Sequence, residues 1–174
     1  MENTSPKPLV RWIETAANVA IIIVAVAIVA VFAKNHFYPS QQPRPSISAG
    51  AKLNSQPVDW AANGKNVVLV LSTTCHFCKE SSGFYQRLTQ DCRNAHTRTV
   101  AFFPQTPEEA QNYLKSESVQ VDQVIRADFK NLEIGGTPTL LLVDGSGIVK
   151  KVWLGKLDDQ KEREVLAQSC SASS

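Results

Sequence analysis

The 174-residue sequence has little excess charge of either sign, with 18 Lys and Arg against 16 Asp and Glu and a formal charge of +2. Its basic residues are scattered, and no basic stripe interleaved with aromatics occurs. Nucleic acid and other polyanionic partners are therefore unsupported. No internal repeat is evident, which excludes a solenoid or propeller. No nucleotide loop, Ser-His-Asp set or pair of catalytic carboxylates stands out. Only four cysteines and three histidines are left to carry nucleophilic, redox or metal chemistry.

The apolar residues are unevenly spread. Ala16 to Ala33 reads AANVAIIIVAVAIVAVFA, with Asn18 as its single polar residue and no charge. Such a run rises about 27 Å as a helix, close to the roughly 30 Å hydrocarbon core of a bilayer. Trp12 and Phe37/Tyr38 flank it as interfacial aromatics do. The expected organisation is a short cytoplasmic segment over 1–11 and a transmembrane signal anchor over 12–33. Val31-Phe32-Ala33 also has the small residues of a signal-peptide cleavage site. The run is longer than the roughly 7–15 apolar residues usual there, which favours the anchor. Lys7 and Arg11 nearly balance Lys34 and Arg44, so flanking charge barely orients it. Residues 34–56, rich in Pro, Ser and Gln, read as a linker. The globular pattern runs over 57–174.

Within that domain, Val67 to Leu71 is a short apolar run suited to a strand buried on both faces. Phe77, Phe84, Tyr85, Leu88 and Cys92 follow with helical spacing. Thr99 to Phe103 is a second strand, stopped by Pro104. Thr106-Pro107-Glu108-Glu109 has the form of a capping box that starts a helix to about Lys115. Gln123 to Arg126 is a candidate short strand. Thr139 to Val143 and Ile148 to Leu154 form a hairpin around Asp144-Gly145-Ser146-Gly147. Asp158 or Asp159 opens a last helix that ends near Cys170. The order β-α-β-α, hairpin, helix predicts an α/β fold with a mixed central sheet and helices on both faces.

The strongest chemical feature is Cys75-His76-Phe77-Cys78, placed where the first strand gives way to the first helix. Free N–H groups and the dipole at a helix N-terminus stabilise a thiolate. The thiolate is the nucleophile of disulfide exchange. Residues i and i+3 lie one above the other, so Cys78 is placed to resolve a mixed disulfide formed on Cys75. Cys75 is expected to be the exposed attacking residue and Cys78 the buried one. His76 and Phe77 lie between them as tuning positions. A protonated His76 would lower the Cys75 pKa and make the centre more oxidising. A merely solvated histidine is the alternative.

The second feature is Gly135-Gly136-Thr137-Pro138-Thr139. A proline opening a central strand is normally disfavoured, so a cis Thr137–Pro138 bond is a natural candidate. The peptide by itself leaves an ordinary trans proline open.

Together these features resemble the thioredoxin superfamily over roughly residues 57 to 170. The carriers are an apolar strand leading into C-x-x-C, the later G-T-P-T-L-L-L-V-D-G-S-G hairpin and a terminal helix. The extra chain between Cys75 and Pro138 resembles the membrane-tethered periplasmic branch that includes TlpA-like and cytochrome c maturation proteins. The resemblance implies a thioredoxin-like fold with one N-terminal transmembrane helix. It implies Cys75 as nucleophile, Cys78 as resolving cysteine and Pro138 as a cis-proline beside them. It also implies that the Thr137 backbone binds an extended substrate segment. Protein thiols or disulfides would be the substrates, with a membrane electron donor or acceptor and no cofactor or metal. The location implied is the cell inner membrane, with the catalytic domain in the periplasm.

The chain departs from that pattern in four places. Thr74 replaces a common tryptophan, and the His-Phe dipeptide lacks a proline. Leu69 stands where thioredoxin has a buried acid. Ser81 stands where tethered reductases often have glutamate, with Glu80 one position early.

Cys75, Cys78, Cys92 and His96 also have the zinc-like spacing C-x2-C-x13-C-x3-H. One helix from Cys78 to Cys92 would separate those two by about 21 Å along its axis, too far to share one ion. Cys92 is read as a small core residue or as the partner of Cys170 in a structural disulfide.

Overall fold

The computed structural model describes residues 19–26, 28, 46–53 and 56–170. The chain forms two units, 1–43 and 44–174. In the first, the described residues are helical, and Ile21, Ile22, Ile23 and Val26 are each more than 60% exposed. Among the described residues, no helix is long and apolar enough to cross a membrane. The anchor expected over 12–33 lies largely outside the described residues, as do the 1–11 segment and most of the 34–56 linker.

The second unit is built on five strands and four α-helices. In chain order they are β1 (Lys65–Val70), α1 (His76–Glu80), α2 (Ser82–Asn94), β2 (Arg98–Phe103), α3 (Pro107–Ser116), β3 (Gln123–Arg126), β4 (Thr139–Asp144), β5 (Val149–Leu154) and α4 (Asp159–Ser169). The sheet order is β3-β2-β1-β4-β5. β1, β2 and β3 are parallel neighbours, while β4 runs antiparallel to β1 and β5. The mixed sheet therefore agrees with the pattern of runs in the sequence.

Local chemistry sets the element ends as expected. Thr106 Oγ1 accepts from Glu109 N at 3.3 Å, and Glu109 Oε2 accepts from Thr106 N at 3.0 Å. Asp158 caps α4 by accepting from Lys161 N at 2.8 Å. In the hairpin turn, Asp144 Oδ1 accepts from Ser146 N and Ile148 N at 2.9 and 3.0 Å. Gly147 supplies a φ of 73°, open to glycine at no steric cost.

Three features differ from expectation. The flanking helices are present, but the α-helices pack on one face, and among the described residues the other carries only the short 3-10 helix Trp60–Asn63. Val67, Leu69 and Leu71 point to one side of β1, into a core shared with Cys78, Leu88, Cys92, Leu114 and Val165 of the four helices. Val68 and Val70 point to the other side, against Ile47, Leu53, Trp60 and Leu132, none of which lies in an α-helix. The parallel connections β1 to β2 and β2 to β3 step in one direction across the sheet, and crossovers that keep the usual right hand then leave their helices on one face.

The second difference follows from the first. Residues 46–53, placed in the linker by their composition, close the face without α-helices. Ile47 and Leu53 are 5% and 1% exposed. Ile47 N donates to Glu133 O at 2.7 Å, and Val149 N donates to Ala51 O at 2.9 Å. Third, the helix beginning at the C-x-x-C is two helices, α1 and α2. They meet at Ser81, whose φ and ψ are −93° and 3°. The Ser81-Ser82-Gly83 run is poor in helix formers, and Gly/Ser pairs are common sites of helix kinks.

Candidate active site

Cys75 is the N-cap of α1, with extended backbone at φ −84° and ψ 110°. Its Sγ accepts a hydrogen bond from Cys78 N at 3.0 Å. Cys75 and Cys78 are joined by a disulfide, with their Cα atoms 5.2 Å apart. Cys75 is half-buried, whereas Cys78 is fully buried in the core beneath α1. The difference in access comes from position. The cap residue sits at the mouth of the helix, and the residue one turn in packs onto the sheet.

The loop from β1 to Cys75 is held from the neighbouring strand. Gln105, two residues beyond β2, donates from Nε2 to Ser72 Oγ at 2.9 Å. Its Oε1 accepts from Thr73 N at 3.4 Å. Ser72 O in turn accepts from Cys75 N at 3.1 Å. Gln105 was not singled out by its sequence, because a lone polar residue after a strand has no distinguishing pattern. Its contact depends on β1 and β2 running parallel and ending together.

The Thr137–Pro138 peptide is cis. Pro138 is buried and Thr137 half-buried. Pro138 O accepts from Gly155 N at 2.8 Å, and Thr139 Oγ1 donates to Gly136 O at 2.7 Å. Thr139 is in register with Val70 of β1 and with Leu154 of β5. The start of β4 thus lies at the sheet end from which β1 leads to Cys75.

His76 and Phe77 are exposed. His76 Nε2 lies 2.9 Å from Glu80 Oε1, and Lys156 Nζ lies 2.8 Å from Glu80 Oε2. The Lys156 hydrogen bond, aided by the charges of Lys156 and His76, holds the Glu80 carboxyl below its ordinary range. Glu80 and Lys156 join α1 to the loop after β5, a link invisible in sequence across 76 positions.

Among the described residues, no Asp or Glu side chain is buried. Leu69 is fully buried on the side of the sheet that carries Cys78. Cys92 is bonded to Cys170, with Cα atoms 4.3 Å apart, tying α2 to the end of α4. The zinc-like set is therefore divided between two disulfides. His96 is exposed, with a φ of 55°, in the turn before β2.

No protein-family model matches the sequence, and the comparison with curated proteins finds no match. Solved structures do match. A thiol-disulfide isomerase from Corynebacterium glutamicum aligns at 17% identity over 76% of this chain and 99% of its own, with a TM-score of 0.53. A thiol:disulfide interchange protein of the thioredoxin family from Chlorobium tepidum aligns at 18% identity over 76% and 99%, also with a TM-score of 0.53. A secreted thiol-disulfide isomerase from Corynebacterium glutamicum aligns at 14% identity over 62% and 70%, with a TM-score of 0.50. The chain has the thioredoxin fold, as its motifs implied. A C-x-x-C pair stands at the N-terminus of its first sheet-packed helix, and a cis-proline opens β4.

Proposed function

We propose that this protein is an extracytoplasmic thiol–disulfide oxidoreductase that reduces protein disulfides through Cys75 and Cys78. The observation that carries the reading is the half-buried Cys75, capping α1 and bridged to a fully buried Cys78. In the reduced protein, the Cys75 thiolate attacks one sulfur of a substrate disulfide. A Cys75–substrate bond forms and the other substrate sulfur leaves as a thiolate. The Cys78 thiolate then attacks Cys75, restores the internal disulfide and releases the second substrate thiolate. The substrate gains two electrons, and the protein must recover them from a membrane donor. The Thr137 backbone beside Pro138 binds an extended substrate segment, while His76 and Phe77 tune the centre.

The location rests on two supports. The apolar run over 16–33 suits an anchor that tethers the domain in the inner membrane. The Cys92–Cys170 disulfide fits an oxidising compartment. The names of the similar structures, one described as secreted, are consistent with this chemistry and place.

A second reading, as an oxidase or isomerase, draws on the absence of a buried carboxylate beside Cys78 among the described residues. Leu69 occupies the place where thioredoxin has the buried acid that assists proton transfer, so one support for the reducing direction is missing. The experiment that tests the attacking and resolving roles is trapping in cells with Cys78→Ser. Cys75 is expected to accumulate in mixed disulfides with substrate proteins. Equal trapping by Cys75→Ser would overturn the assignment of attacking and resolving roles. A reduction potential well above that of thioredoxin would favour the oxidase.

A further inference from the structure

The outer side of α1 carries a chain of charge that the exchange reaction does not use. Lys156, in the loop after β5, reaches one Glu80 oxygen at 2.8 Å. The other oxygen meets His76 Nε2 at 2.9 Å. His76 directly follows Cys75, so the chain ends on the backbone of the cysteine pair. Lys79, the remaining charged residue of α1, makes no ion pair. The Glu80 and Lys156 side chains are 37% and 49% exposed, and an ion pair so open to water stabilises a fold very little.

Its effect on a nearby thiolate is different in kind. The reduced form of the pair carries negative charge on Cys75, and the disulfide carries none. A cation near α1 therefore favours the dithiol form, and an anion favours the disulfide. Glu80 and Lys156 together are neutral and leave little net field on Cys75. Either one alone is a full unit of charge at a helix only five residues long, Glu80 on it and Lys156 against it.

We propose that Glu80 and Lys156 are positioning residues whose opposite charges cancel beside the Cys75–Cys78 pair and so keep its redox equilibrium from shifting toward either form. Glu80 holds the His76 imidazole on the outer side of α1, and Lys156 cancels the charge of Glu80. The inference rests on the exchange reaction proposed above. Oxidised protein and two glutathione thiols give the Cys75/Cys78 dithiol and one glutathione disulfide, so the equilibrium constant reports the balance directly.

The test equilibrates the full-length protein with glutathione buffers at pH 8, where a histidine side chain is ordinarily neutral. Glu80→Gln frees the Lys156 charge and is expected to shift the constant about threefold toward the dithiol. Lys156→Met exposes the Glu80 charge and is expected to shift it about threefold toward the disulfide. A threefold change is about 14 mV for this two-electron couple. The double variant is expected to return close to wild type. The midpoint of the thiolate absorbance titration is expected to move in step with the single-variant shifts, to lower pH for Glu80→Gln and to higher pH for Lys156→Met. Shifts of one sign in both variants, or none in either, would overturn the inference while leaving the exchange reaction standing. A wild-type protein that does not exchange with glutathione at all would overturn the reaction and the inference with it.

Discussion

At Cys75, access and chemistry coincide. The side chain is half-buried and caps a helix, whereas Cys78 has no exposed surface. Iodoacetamide is expected to label Cys75 in the reduced protein and to leave Cys78 nearly unlabelled, as read by peptide mass spectrometry. Equal labelling would contradict this division of roles. The loop before Cys75 is set by Gln105, which bonds both Ser72 and Thr73. Gln105→Ala removes both bonds from a part-buried site. The expected outcome is about 1–2 kcal/mol of lost stability by urea unfolding, with slower exchange at Cys75. The cysteine pair was readable from the sequence, since cysteine is rare there and the motif is local, whereas the Gly-Thr-Pro-Thr peptide left the cis bond at Pro138 to be decided by the structure. Gln105, Glu80 and Lys156 were not readable, because their partners arrive from distant segments.

At the scale of elements, the helix starts were readable and one helix interior was not. The capping box at Thr106 has a local pattern and is present as expected. Thr106→Ala is expected to cost about 1 kcal/mol, seen as a lower urea midpoint with unchanged slope. The break at Ser81 was missed because apolar spacing continues across it, from Phe77 through Phe84, and masks the poor helix formers between. Glu80, Asp144 and Glu164 are held below their ordinary pKa first by hydrogen bonds from Lys156, Lys150 and Lys151 respectively. Carboxyls lowered in the folded state stabilise it above their unfolded pKa, and that stability is lost as pH falls through the lowered values. Stability is expected to decline as pH drops below the ordinary carboxylate range. Asp144→Asn, together with Glu164→Gln, is expected to flatten that decline in urea titrations at successive pH values.

For the whole molecule, two long-range ties define the domain. The Cys92–Cys170 disulfide closes a loop with a sequence separation of 78 residues. On the chain-entropy model such a loop is worth about 4 kcal/mol. Replacing both cysteines by alanine is expected to lower stability by up to that amount, measured by urea unfolding, while leaving Cys75 able to exchange. The other tie is the 46–53 segment on the face without α-helices. Leu53→Ala is expected to cost about 2–4 kcal/mol, since it empties a fully buried site. A fragment starting at residue 57 is expected to be less stable than one starting at residue 44. Equal stability of the two fragments would show that the segment contributes nothing.

The Cys75-His76-Phe77-Cys78 motif, the strand runs, the capping box and the hairpin turn were determined by the sequence alone. Each depends on residues within a few positions of one another, where backbone geometry and side-chain chemistry act directly. The pairing of Cys92 with Cys170 and the Lys156–Glu80–His76 chain were decided only by tertiary structure. So were the placement of the four α-helices described in the domain on one face and the docking of Ile47 and Leu53 on the other. These depend on crossover handedness and strand order, which bring together residues that no local pattern relates.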